Sequence, residues 1–221
     1  MFKYFKETLA AIALAVAFTG TAAQAAFVTI DEVGLNEIYS QDSFGDTPLT
    51  IIFNEVTELV APDLLDITTD AEVLELFDLH QGPENVVNFF FVDTIDSCDG
   101  LNVNIVGCGE VGGNDFVVES EVADSASNAE LLGHELAHNL GLLHTSGGLL
   151  DPVVNGETDL DLRQVALIFD SPLIQFDLDG GAFVEINPVL LIAEIPLPAA
   201  GLMLMGALGG LGLFRRKRRA A

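Results

Sequence analysis

The chain has 221 residues, enough for one domain with a buried core, and half of them are hydrophobic. Its 34 acidic residues outnumber 8 lysines and arginines, giving a formal net charge of −26 at pH 7. A surface this acidic repels a polyanion, which excludes nucleic-acid binding.

Residues 1–25 begin with Lys3 and Lys6, continue through an apolar run and end in Ala23-Gln24-Ala25, a small-x-small cleavage site. This is the pattern of a secretory signal peptide removed by signal peptidase, and the run is short for a membrane span. Residues 27–45 have no clear periodicity. Leu49–Phe53 reads as a first strand after Pro48; the chain to Val60 either extends it or starts a helix, and Pro62 ends it. Thr69 or Asp70 caps a helix running to Leu79, with Val73, Leu76 and Phe77 on one face. His80, just beyond, reads as a helix-end or surface histidine. Val86–Val92 is nearly continuous apolar sequence, fit for a buried central strand. A loop rich in Gly, Asn and Asp follows over 96–114, in which Cys98 and Cys108 are expected to form a disulfide in an exported protein. Residues 115–120 read as another strand.

Ser127 and Glu130 have the spacing of a capping box, which predicts a helix over Asn128–Asn139. This helix carries most of the segment HELAHNLGLLH, residues 134–144. His134 and His138 are one turn apart on one face, as two ligands of one metal ion must be. Glu135 is placed to reach a metal-bound water as a general base without being a ligand. Gly141 can take the left-handed conformation that ends a helix, so that His144 returns as a third imidazole. Three imidazoles and an open position describe a catalytic zinc site; a structural site would have a fourth protein ligand.

This eleven-residue motif resembles the signature of the metzincin clan of zinc endopeptidases. The resemblance implies an α+β, metzincin-like zincin domain: a mixed twisted sheet with an edge strand, an active-site helix and a C-terminal helix. It also implies that the strand at 115–120 is the antiparallel edge on which a protein or peptide substrate docks. Gly147-Gly-Leu-Leu-Asp-Pro152 occupies the place of the clan's methionine turn, with Leu150 standing where methionine would be. Thr158 or Asp159 is expected to begin the last helix, with Leu162, Val165, Ala166 and Phe169 along one face. Residues 175–193 read as a hairpin or a linker. Two acid-rich turns, one over 93–99 and one containing Asp177 and Asp179, are candidates for calcium, although neither is a complete calcium loop.

Ile195-Pro-Leu-Pro-Ala-Ala200, an apolar run to Phe214 and a basic cluster at 215–219 make a three-part tail. The tail resembles the PEP-CTERM sorting signal, which implies transient membrane insertion, processing by an exosortase and a place at the surface of a Gram-negative bacterium. With both end segments set aside, 33 acids face a single basic residue, Arg163. The expected plan is a signal peptide (1–25), a metzincin-like catalytic domain (26–175), a hairpin or linker (176–194) and the sorting tail (195–221). The expected activity is zinc-dependent hydrolysis of peptide bonds. Two other classes stay open: a surface or matrix protein with a catalytically silent domain, and a zinc amidohydrolase acting on non-protein substrates.

Overall fold

A computed structural model describes residues 30–100, 105–125 and 128–193. The expected signal peptide, sorting tail and Ser127 lie outside the described residues.

The first element among the described residues is helix α1 (Glu32–Ile38), in the stretch whose sequence shows no clear periodicity. Asp31 caps it by accepting from the Gly34 N–H, and its inward residues Leu35 and Ile38 are buried. Strands β1 (Leu49–Phe53) and β2 (Thr57–Val60) follow, so the chain after Phe53 extends the strand rather than starting a helix. The short strand β3 (Asp66–Ile67) precedes α2 (Asp70–Phe77). Helix α2 starts in a reciprocal capping box of Thr69 and Glu72, and it stops two residues before the expected end at Leu79. All seven residues of β4 (Val86–Val92) are buried, as its apolar run predicts. Strand β5 (Thr94–Ile95) pairs with β3 in a small separate sheet.

Two strands follow in what reads as a loop and a single strand. They are β6 (Gly107–Gly109) and β7 (Asp115–Glu119). A one-turn helix α3 (Ser120–Ala123) leads to α4 (Asn128–Asn139), whose bounds match the sequence expectation. Helix α5 (Leu162–Phe169) is capped by Asp161 and Gln164 and begins three residues later than Asp159. That shift leaves Leu162 exposed at the open first turn, and the buried residues are Val165 and Ile168. The expected stripe through Leu162 and Ala166 is therefore corrected.

The main sheet runs β1-β9-β4-β7-β6, with β2 continuing the β1 side of β9. Strand β9 (Ala182–Ile192) is in the sequence a hairpin or linker, and here it is the longest strand. A short antiparallel pairing with β8 (Gln175–Phe176) does make a hairpin. Beyond that turn β9 runs parallel to β1, β2 and β4, so this segment is interior sheet rather than linker. The pairs β4–β7 and β4–β9 are also parallel. Strand β7 is thus an inner strand, and the antiparallel edge is β6. The edge expected at 115–120 lies one strand further out, because two glycines around one cysteine give no periodicity from which a strand can be read.

The sheet alternation sorts the core into two layers. Val87, Phe89, Phe91, Phe116 and Val184 face α1, α4 and α5. Phe90, Val92, Val117 and Val189 face α2 and the small sheet. Phe89 and Phe116 meet across the β4–β7 pair with ring centroids 3.8 Å apart. Cys98 and Cys108 form the expected disulfide, with Cα atoms 5.9 Å apart. It fastens the short edge strand to the chain leaving β5, and Cys108 packs in the second layer. Replacing both cysteines by serine is expected to lower stability by about 2.5 kcal/mol, measured by equilibrium urea unfolding under oxidising conditions.

Candidate metal centre

Helix α4 lies against both β6 and β7, and nearly every residue along it is buried. Tyr39 at the end of α1 donates its hydroxyl to the Gly133 carbonyl at 2.8 Å, fixing the helix one residue before His134. Burial pushes that phenol well above its ordinary pKa, so it stays a neutral donor.

The helix ends in a Schellman turn. The Leu142 N–H reaches the Ala137 carbonyl at 2.9 Å and the Gly141 N–H reaches the His138 carbonyl at 2.8 Å. Gly141 has φ +94°, a conformation strained for any residue with a side chain. The turn sends the chain back so that His144 faces His134 and His138. The three Nε2 atoms form a triangle, with each pair 3.1 Å apart. Among the described residues this is the only group of three or more such side chains placed to hold a metal ion.

Two backbone carbonyls fix the ring orientations. His134 Nδ1 is 2.7 Å from the Leu149 carbonyl and His138 Nδ1 is 2.8 Å from the Leu142 carbonyl. A carbonyl only accepts, so each Nδ1 carries the proton and each Nε2 keeps a lone pair. Lone pairs aimed at one another across 3.1 Å repel unless a cation lies between them. The triangle suits one ion at the usual imidazole–zinc distance of about 2.0–2.1 Å, with nitrogen–metal–nitrogen angles of about 100°. The donor set therefore fits a divalent metal. Burial also drives His134 down to about 4, helped by the neighbouring His138, and lowers His138, which keeps both rings neutral and able to ligate.

Glu135 is not part of this triangle, and its carboxylate lies against β6. It is only 4% exposed, and burial alone pushes its carboxyl up to about 8. A cation on the triad would oppose that shift. The histidines and Glu135 open into a cleft of about 340 Å³. One wall is the edge strand with Ile105 and Val106, and another is the chain from Asp151 to Val154.

Leu150 is fully buried in the helix-side core, and its carbonyl accepts from the Thr145 N–H at 2.9 Å. Together with the Leu149 carbonyl on His134, this turn braces two of the three ligands.

Four residues that matter here carry no functional signal in the sequence reading. Asn139 donates to the Glu110 and Asp115 carbonyls at 2.9 Å each, tying the helix end to the β6–β7 turn. Gly107 and Gly109 face Glu135 from β6. Glu130, read as a helix-capping residue, has its carboxylate on the backbone N–H groups of Asn155 and Gly156 at 2.7–3.0 Å. It thereby holds the loop that walls the cleft. His80 stays outside the triad, as expected, with Nδ1 2.9 Å from Asp115 Oδ1. In the calcium candidates, Asp177 accepts from the N–H groups of Asp179 and Gly181, and Asp70 ties down Ser97 and Gly100. No acidic trio converges in either stretch among the described residues.

A scan against protein-family models finds no match, and a search of curated proteins finds none either.

Zinc at a hundred times its Kd is expected to stabilise the protein by about 2.7 kcal/mol, seen as a rise in unfolding temperature that a chelator reverses. His138→Ala should abolish that rise. Glu130→Ala leaves two backbone donors unpaired and is expected to cost about 1–3 kcal/mol in urea unfolding, with metal stoichiometry unchanged.

Proposed function

We propose that this chain is an exported zinc endopeptidase of metzincin type. The observation that carries the reading is the convergence of three imidazoles, two of them oriented by backbone carbonyls, with a buried carboxylate outside the triad in one cleft. His134, His138 and His144 would hold the metal, which would supply a Lewis acid for the scissile carbonyl and activate the attacking water.

The chain's own residues supply the remaining functions. Glu135 takes a proton from the attacking water and returns it to the departing amine. Burial raises its proton affinity and a cation on the triad would lower it, and these opposing effects suit a base that must also act as an acid. Among the described residues strand β6 pairs with β7 alone, and its residues line the cleft. An extended peptide can add to such an edge through main-chain hydrogen bonds that are indifferent to sequence, which suits a protein substrate. Ile105, Val106, Leu131 and Val154 line the cleft as well and favour apolar side chains beside the bond to be cut.

The amino-terminal signal-like segment and the tail support export and sorting to the cell surface. The Cys98–Cys108 disulfide fits an oxidising compartment.

The test compares the purified protein with Glu135→Ala. The expected result is one zinc per chain in both, with cleavage of an unfolded protein falling at least about 100-fold in the variant. Zinc in both with no cleavage of any protein would favour the silent surface protein. Hydrolysis of small amides alone would favour the amidohydrolase.

A further inference from the structure

Strand β6 reads Gly107-Cys108-Gly109, and its alternation places the two glycines on the α4 side of the sheet. Neither glycine has a positive φ, so the backbone here is open to any L-residue. Space is the constraint. A Cβ added at Gly107 would lie 2.3 Å from Glu135 Oε1 and 2.7 Å from its carboxyl carbon. One added at Gly109 would lie 2.9 Å from Glu135 Oε2, 3.0 Å from the Glu135 carbonyl oxygen and 3.2 Å from His138 Cβ. Both carboxylate oxygens therefore occupy room that only a missing side chain provides.

The strand is itself held on its other face. Cys108, between the glycines, points into the opposite layer and is bonded to Cys98. The following turn is clasped to the end of α4, with the Gly112 N–H on the His138 carbonyl at 2.9 Å and Asn139 on the Glu110 carbonyl at 2.9 Å. The wall against Glu135 is thus fixed covalently from behind and by hydrogen bonds at its end.

We propose that Gly107 and Gly109 are positioning residues for Glu135: their bare Cα atoms form a slot that sets where the carboxylate stands relative to the three histidines. The inference rests on the role of Glu135 proposed above. The nearest atoms to a Cβ at 107 are all the movable end of the glutamate side chain, so the chain at that point can relax by swinging the carboxylate out of its slot. At 109 the obstacles include helix backbone, which cannot swing.

The test is Gly107→Ala in the full protein, read by metal content, steady-state kinetics and a crystal structure. Expected are one zinc per chain, an unchanged KM and a kcat lower by about 10- to 100-fold, since an ångström of misplacement has that scale of effect. The crystal structure should show β6 in place and the carboxylate displaced from it. Gly109→Ala should in addition unfold at a temperature about 2–4 °C lower. A wild-type kcat in Gly107→Ala, or a strand that moves while the carboxylate stays, would overturn the proposal. A wild-type protein that binds zinc and cleaves nothing would defeat the peptidase reading, and the displacement in the crystal structure would then decide the slot on its own.

Discussion

Three imidazole Nε2 atoms stand 3.1 Å apart, the lone pairs of His134 and His138 repelling each other, and much of the surrounding structure is what holds them there. The orientation of two rings comes from backbone carbonyls rather than from side-chain partners. A carbonyl is a rigid acceptor whose place is set by the path of the chain. The ligand geometry therefore depends on the Schellman turn at Gly141 and on the turn through Leu149 and Leu150. Each turn is anchored in turn by buried leucines, Leu142 in one and Leu149 and Leu150 in the other. A bound cation would convert that repulsion into attraction, which would couple metal affinity to folding.

The cleft is made by opposing an inflexible helix to a short edge strand. Helix α4 is buried along almost its whole length, and Tyr39 and Asn139 fasten it near its middle and at its end. The edge strand is only three residues long and would be a weak wall by itself. The disulfide behind it and the clasp at the helix end make it a firm one. Rigid support on both sides suits the proposed role of a carboxylate held at a fixed distance from the three histidines.

The acidity of the chain also has a local structural use. Asp31, Glu72 and Asp161 accept from backbone N–H groups at helix starts. Asp151 and Glu157 do the same for Gly147 and Gly148, and Glu130 does so for the loop at 155 and 156. Carboxylates in these places satisfy donors that helices and turns leave free. The excess of acid is thus partly internal scaffolding, besides the solubility that net charge confers.

Periodicity and spacing disclosed whatever depends on near neighbours in the chain. The ligand trio, the bounds of α4, the helix-ending glycine, the buried run of β4 and the cysteine pair all follow from local geometry at separations of ten residues or fewer. The tertiary structure decided what depends on partners far away. Strand β9 alternates too modestly to announce itself as central, and its place comes from parallel pairing with β1 and β4, some 100 residues or more earlier in the chain. Residues 107–109 carry no hydrophobic pattern because one face must be bare to admit Glu135, so the feature that makes the strand useful also hides it. Glu130 has the right spacing for a cap, and no spacing shows that its carboxylate holds a loop 25 residues away. A sequence states which groups can reach each other along a helix or turn; only packing settles which distant backbone donors, carbonyls and bare Cα atoms come to face them.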